Sequence, residues 1–140
     1  MATREPLIVT IPKNRRVDVQ VGAHVLHTDQ PLTNGGEDSA PSPYDLFLAS
    51  IGACAGIFVQ GFCAARKLPT DDVRVIEQPH FDEKGVLKSV DLRVEVPPDF
   101  PERYRDALVH VVEQCSVKKA IAAQPEFAVS VEAIAAIDAA

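Results

Sequence analysis

This sequence lacks the excess of basic residues that nucleic-acid-binding proteins need. Its 140 residues include 14 lysine and arginine residues against 20 aspartate and glutamate residues, which gives a net charge of −6. Proteins bind the phosphates of DNA or RNA through clustered positive charge, and here the basic residues are dispersed. We therefore expect no nucleic-acid partner and no polybasic membrane anchor.

Cysteine is scarce, and its spacing is typical of neither a disulfide framework nor a zinc site. The three cysteines are Cys54, Cys63 and Cys115. An odd number without close spacing is unusual in secreted disulfide-rich domains, and structural zinc sites use closely spaced cysteine pairs. The amino-terminal residues also lack the basic and then apolar order of a signal peptide. We therefore expect a cytoplasmic protein with reduced thiols.

The amino-terminal third predicts antiparallel strands followed by an irregular loop. Residues 7–11, 17–21 and 24–28 are short apolar or alternating runs separated by turn residues, a pattern typical of a hairpin or meander. His24 and His27 would lie on opposite faces of the third strand, so we do not expect them to bind a metal together with Asp29. Residues 29–43 hold three prolines and two adjacent glycines and predict a loop.

A long helix is predicted from Ser42 to about Lys67. Ser42 and Asp45 have the spacing of a capping box, in which each residue binds the other's backbone N–H. Pro43 suits the first helical position, and Asp45 lies near the positive end of the helix dipole. Pro69 prevents much continuation of the helix.

The predicted helix is apolar on nearly every side. Between residues 46 and 65 the only clearly polar side chains are Ser50 and Gln60, so the helix should be buried all round. A segment of this length could also span a bilayer. The capping pattern and the strand-rich sequence on both sides favour a central helix covered by sheets and by a second copy of the chain, without a membrane.

The second half predicts a further sheet, a second helix and a last strand. Residues 73–78 and 86–96 are predicted strands, separated by a polar turn that contains His80. The second helix opens near residue 101, has Cys115 at the end of its apolar face, and turns His110 away from the core. A further helical stretch over residues 116–123 and a strand over residues 127–131 complete the prediction.

The residues around Cys54 do not by themselves predict a reactive thiol. A cysteine in an apolar helix most often serves as a small buried hydrophobic side chain. Apolar surroundings raise a thiol pKa, so reactivity would require a nearby positive charge that this helix does not supply. Cys63 lies about half a turn round the helix from Cys54 and is assigned to packing. Whether Cys115 meets Cys54 stays open at this point.

A family resemblance extends these observations. Residues 35–54, GGEDSAPSPYDLFLASIGAC, resemble the signature of the OsmC/Ohr family, in which a proline-capped helix carries a reactive cysteine. The run Cys115-Ser116-Val117 resembles the second motif of that family, usually Cys-Pro-Val. The resemblance implies one α+β domain over residues 1–140, with amino-terminal antiparallel strands, a long buried central helix, a second sheet and a second helix. It also implies an interlocked homodimer.

The resemblance further implies thiol-dependent reduction of organic hydroperoxides, without a metal or bound cofactor. Cys54 would attack the peroxide bond and become a sulfenic acid, and Cys115 would condense with it to a disulfide. An external dithiol, of the lipoyl kind or similar, would then restore both thiols. The apolar surroundings of Cys54 would favour a small fatty or aryl hydroperoxide.

Two departures from the family pattern keep a second function open. In the best-studied relatives, an arginine from the amino-terminal strands activates the cysteine, and a glutamate ten residues before the cysteine orients that arginine. Here Tyr44 occupies the glutamate position, beside Asp45, and Arg15 and Arg16 are the candidates for the arginine. The second motif has Ser116 in place of proline. The alternative function is a non-catalytic dimeric module that binds a ligand or senses oxidants.

Overall fold

The computed structural model describes residues 3–135, which form two antiparallel sheets and three α-helices. The strands and helices follow in the order β1 Ile8–Thr10, β2 Val17–Val21, β3 His24–Thr28, α1 Pro43–Ala65, β4 Arg74–Phe81, β5 Leu87–Glu95, α2 Arg105–Val112 and α3 Ser116–Ala122. Short 3-10 turns cover Leu32–Asn34 and Glu102–Tyr104. The predicted α+β class is confirmed.

The first sheet has the order β1-β2-β3, and all of its strands are antiparallel. A two-residue turn joins β2 to β3, with Gly22 at a φ of 58°, a conformation that favours glycine. Val9, Val19 and Leu26 lie opposite one another across the three strands, so they form an apolar row on one face of the sheet.

The second sheet pairs β4 with β5 and extends further than the sequence predicts. Residues 79 and 80 were expected in a turn, but β4 continues through them, with Pro79 opposite Val90 and His80 opposite Ser89. Proline is tolerated because β4 pairs only with β5 among residues 3–135, which leaves its other edge without ladder bonds. The imidazole Nε2 of His80 lies 2.8 Å from a carboxylate oxygen of Asp91.

Helix α1 packs one side against β4 and α2 and leaves another side uncovered. The core consists of Ala55, Val59, Phe62, Cys63, Phe100, Leu108 and Val112. Ala49, Ala53 and Ile57, at successive spacings of four, are exposed. The helix is apolar and long enough to cross a membrane by length and composition alone, with a mean hydropathy of 1.9, and 28% of its most apolar window is buried. The expected burial all round is therefore not achieved within one chain.

Two predictions for the carboxy-terminal third are wrong. The strand expected over residues 127–131 does not form, and Phe127, Val129 and Val131 are exposed. Alternation favours a strand, but a strand also requires a partner for its backbone groups, and this segment has none among residues 3–135. Helix α2 ends at Val112, and Cys115 follows a turn and precedes α3 instead of lying on α2.

Candidate thiol site

Cys54 is placed by the start of α1. The Ser42 hydroxyl oxygen accepts a hydrogen bond from the Asp45 N–H at 3.2 Å, and the Asp45 carboxylate accepts one from the Ser42 N–H at 3.2 Å. The predicted capping box is therefore confirmed, and Pro43 is the first residue of the helix. Because the helix start is fixed, Cys54 lies about three turns into α1. Asp45 has a structural role at this helix end.

The loop before α1 is organised by the buried carboxylate of Asp29. It accepts hydrogen bonds from the Ser39 hydroxyl at 2.6 Å, from the Gln30 N–H at 2.8 Å and from the Ser39 N–H at 3.1 Å. These bonds, first that from the Ser39 hydroxyl, lower the pKa of Asp29 to about 2. Sequence reasoning considered this residue only as a metal ligand. Its position at the start of a proline- and glycine-containing loop was the signal for a turn-forming role.

The structure brings Cys54 and Cys115 together. The turn after α2 carries the backbone back toward α1, and α3 packs against α1. The Ser116 Oγ lies 3.6 Å from the Cys54 Sγ, and the adjacent Cys115 side chain is close enough to lower the pKa of Cys54. Both cysteines are free thiols; Cys115 is fully buried and Cys54 is partly exposed. Two segments about 60 residues apart in sequence thus form one site.

Hydrogen-bond donors make the Cys54 thiol more acidic. Its pKa falls from 9.0 to about 7, chiefly because the Cys115 thiol donates to it, and next because of the Val117 N–H. The Ser116 hydroxyl and N–H lower the pKa further, whereas burial opposes the change. The expectation that only a neighbouring cation could lower this pKa is therefore wrong: neutral donors stabilise a thiolate as well.

The other residues predicted to support Cys54 lie elsewhere. Arg15 is exposed in the turn before β2, and Arg16 is half-buried with an Nε that has no hydrogen-bond partner within the described residues. Neither contributes to the lowered pKa of Cys54. Tyr44 packs its ring against Phe47 and Phe81, at centroid distances of 5.5 and 6.2 Å. It belongs to an aromatic cluster.

Cys63 and the histidines are placed away from this chemistry. Cys63 is fully buried in the core, and burial raises the pKa of its thiol. The Nδ1 of His27 lies 2.9 Å from an Asp18 carboxylate oxygen. In the described chain, no three His, Cys, Asp or Glu side chains are grouped so as to hold a metal ion.

An open cavity of about 920 Å³ lies between α1, β5, α2 and α3. Phe47 and Ile51 line it from α1, seven and three residues before Cys54, so they lie on the side of the helix that carries the thiol. Cys54 and Cys115 themselves are not among its lining residues. Most of the remaining lining is apolar, and the charged side chains of the lining are Lys88, Arg93, Arg105, Lys118 and Glu113. Sequence reasoning did not identify this cavity, because four separate elements form it.

Comparisons with known proteins identify the family and agree with the fold. The family model described as OsmC-like protein matches residues 36–130. An OsmC-like protein from Mycoplasma pneumoniae is 11% identical with a TM-score of 0.68, over 89% of this chain and 91% of that one. The organic hydroperoxide resistance protein OsmC from Legionella pneumophila is 23% identical with a TM-score of 0.56, over 86% and 91%. An organic hydroperoxide resistance protein from Elizabethkingia anophelis is 22% identical with a TM-score of 0.59, over 89% and 93%. At these identities the likeness shows the fold alone. No curated protein matches the sequence.

Proposed function

We propose that this chain, which belongs to the OsmC-like protein family, reduces organic hydroperoxides through Cys54. The observation that carries the proposal is the position of the second cysteine motif against Cys54, with the Ser116 Oγ 3.6 Å from the Cys54 Sγ, together with a Cys54 pKa of about 7. At that pKa roughly half of the Cys54 population is thiolate at neutral pH, and the thiolate is the nucleophile. The names of the Legionella and Elizabethkingia proteins support organic hydroperoxides as the substrate class.

The proposed reaction has three steps. The Cys54 thiolate takes one peroxide oxygen, the O–O bond breaks, and the leaving alkoxide gains a proton from water to become an alcohol. Cys115 then attacks the sulfur of the Cys54 sulfenic acid, which forms a disulfide and releases water. An external cytoplasmic dithiol, of the lipoyl kind or similar, reduces this disulfide by thiol exchange and is itself oxidised.

The open cavity supports an apolar substrate. Phe47 and Ile51 border it on the Cys54 side of α1, and its lining is mostly apolar. Apolar surface of this kind binds an alkyl or aryl group by removing it from water. Hydrogen peroxide has no such group, so the proposal predicts a preference for cumene hydroperoxide or a fatty hydroperoxide over hydrogen peroxide.

We also propose that the protein works as a homodimer. Val9 and Leu26, in the apolar row of the first sheet, are 58% and 45% exposed, and Ile57 on α1 is 66% exposed. A methyl group added at Gly56 would meet no atom within 4 Å in the described part of the chain. Uncovered apolar surfaces of this extent are typical of interaction sites. A second copy would cover both the sheet face and α1.

Replacing Ile57 with lysine tests the dimer. The side chain is exposed in a single chain, so Ile57→Lys should disrupt the dimer without unfolding the chain. Val86→Lys is the matched control, because Val86 is 50% exposed at the β4–β5 turn. Light scattering after size exclusion should show a dimer for the parent and the control and a monomer for Ile57→Lys. A parent monomer in the soluble fraction would reject the dimer, and a parent found only in membranes would favour a spanning helix.

One observation favours a second candidate function, a module that senses oxidants or binds a ligand without turnover. No arginine or lysine contributes to the lowered Cys54 pKa within the described chain, and Tyr44 packs among aromatic rings where relatives have a glutamate. Such a module would be oxidised once and reduced slowly. Multiple turnovers with a dithiol distinguish the enzyme from this module.

Thiol counting by intact mass tests the enzymatic proposal directly. One equivalent of cumene hydroperoxide should remove two thiols, mapped to a Cys54–Cys115 disulfide, and dihydrolipoamide should restore them with continued peroxide consumption. Cys54→Ser should abolish consumption, and Cys63→Ala, the control, should leave it within about a few-fold of the parent. Three unchanged thiols would reject both peroxidase and redox sensing. Formation of the disulfide without continued peroxide consumption would reject the peroxidase and favour the oxidant-sensing module.

A further inference from the structure

Ser116 is the one residue of the second cysteine motif whose side chain directs a hydroxyl at Cys54. Its Oγ lies 3.6 Å from the Cys54 Sγ, within hydrogen-bonding range for sulfur. Ser116 follows the fully buried Cys115 and begins α3. The hydroxyl makes no other side-chain hydrogen bond among residues 3–135. The Ser116 hydroxyl is therefore available as a hydrogen-bond donor to Cys54.

The direction of this hydrogen bond follows from the ionisation state of Cys54. A thiolate has no proton to donate and can only accept, whereas a serine hydroxyl can rotate its proton toward any acceptor. Hydrogen bonds to a charged acceptor are stronger than those between neutral groups. When Cys54 ionises, the Ser116 hydroxyl must therefore be the donor, and the bond strengthens as the charge forms.

We propose that Ser116 is a catalytic residue of this site, whose hydroxyl stabilises the Cys54 thiolate by donating a hydrogen bond to it. The proposal names a role for a position where the family motif usually has proline, which has neither a hydroxyl nor a backbone N–H. Serine can supply both donors, and both lower the pKa of Cys54. Its consequence for peroxide reduction rests on the proposed function; its effect on thiol ionisation does not.

Three substitutions separate the two donors. Ser116→Ala removes the hydroxyl and keeps the N–H, Ser116→Pro removes both, and Ser116→Thr keeps both. Proline should be accepted at this position because it is the first residue of a helix. Cys115 before it has a φ of −50° and a ψ of 122°, and such extended backbone is compatible with a following proline.

The measurement is the rate of Cys54 alkylation by iodoacetamide as a function of pH, with the modified residue identified by mass. The pH at which this rate is half of its maximum, called the midpoint below, should rise by about half a pH unit in Ser116→Ala and by about one unit in Ser116→Pro. It should stay within about 0.2 units of the parent in Ser116→Thr. At pH 6 the alanine variant should react roughly threefold more slowly than the parent, and the deficit should vanish above pH 9.5.

Ser50→Ala provides a matched control. Ser50 is also a serine within one turn of Cys54, but its hydroxyl donates to the Phe47 carbonyl at 2.6 Å. Its removal should leave the midpoint unchanged. Equal midpoints for the parent and Ser116→Ala, with circular dichroism unchanged, would overturn the proposal. Equal shifts for the alanine and threonine variants would overturn it too, because the hydroxyl would then not be the cause.

The same series separates this proposal from the proposed function. A shifted midpoint in a protein that consumes no peroxide would support the role of Ser116 and reject the peroxidase. Full peroxide turnover with no shift in Ser116→Ala or Ser116→Pro would support the peroxidase and overturn the role of Ser116.

Discussion

A disulfide between Cys54 and Cys115 should stabilise the folded chain considerably. It would tie the middle of α1 to the start of α3. The residue after Cys115 already lies against Cys54, with the Ser116 Oγ 3.6 Å from the Cys54 Sγ, so the two cysteines lie in the same region of the fold. In the unfolded chain the same bond would close a loop of about 60 residues, which removes much of the chain's conformational freedom.

The chain-entropy relation gives the size of this effect. Closing a loop of that length lowers the conformational entropy of the unfolded state and so raises its free energy by roughly 4 kcal/mol at 25 °C. With a urea m-value of about 2 kcal/mol/M, typical of a small domain, the unfolding midpoint should move up by about 2 M. Strain in the new bond would reduce the shift, so a result of about 1–2 M agrees with the structure.

The assay is urea unfolding followed by circular dichroism, at one fixed protein concentration, for reduced and peroxide-treated protein. The parent and Cys63→Ala should show the shift, and dithiol should reverse it. Cys115→Ser should show none, since Cys54 then has no partner. A shift that persists in Cys115→Ser would show that another pair is oxidised. Oxidised parent protein that unfolds at the same urea concentration as the reduced protein would refute the reasoning.

Three further predictions follow from the pKa shifts. Cys115→Ala should raise the midpoint of Cys54 alkylation by roughly one pH unit, because it removes the largest cause of the lowered pKa; an unchanged midpoint would contradict this. Asp29 has a folded pKa of about 2 against 3.8, so the parent should exceed Asp29→Asn in stability above about pH 4. That advantage should disappear as the pH falls through 2, and urea midpoints that keep a constant gap would contradict it. Burial raises the pKa of Glu77, whose Oε1 has no partner among the described residues. The stability contributed by protonated Glu77 is fully present below pH 4.5 and is lost as the pH rises through the higher folded pKa. Glu77→Gln should therefore equal the parent in stability at pH 4 and be the more stable of the two at pH 8. Urea midpoints with the parent more stable at pH 8 would contradict this prediction.

Local signals explain which parts of the fold could be predicted from the sequence. The bounds of β2 and β3 agree with the prediction because alternation and the turn at Gly22 are contained in a few residues. The start of α1 was predicted for the same reason, since Ser42 and Asp45 need only each other. These features require no knowledge of distant contacts.

Elements whose form depends on a partner were predicted less well. Residues 127–131 alternate like a strand, but an alternating segment forms a strand only where an edge accepts its backbone bonds. The polar segment after residue 78 suggested a turn, yet β4 runs through Pro79 and His80, and Pro79 is tolerated because that edge of the strand has no neighbour in the described chain. The sequence could not reveal that residues 127–131 lack a partner strand or that one edge of β4 is unpaired, because both facts depend on which strand edges lie side by side in the fold.

The ionisation of Cys54 could not be predicted for a related reason. The apolar helix around it, taken alone, predicts a raised pKa, yet the pKa is about 7 because Cys115, Ser116 and Val117 arrive from a segment about 60 residues later. The residue types at these positions were visible in the sequence, but their donor atoms became relevant only when the turn after α2 placed them against α1. A thiol pKa is thus set by where donors are placed, and among residues 3–135 neutral donors lower the pKa of Cys54 without a contribution from an arginine. In such a chain, the residue after the second cysteine is the position to examine, because there a serine adds two donors that proline lacks.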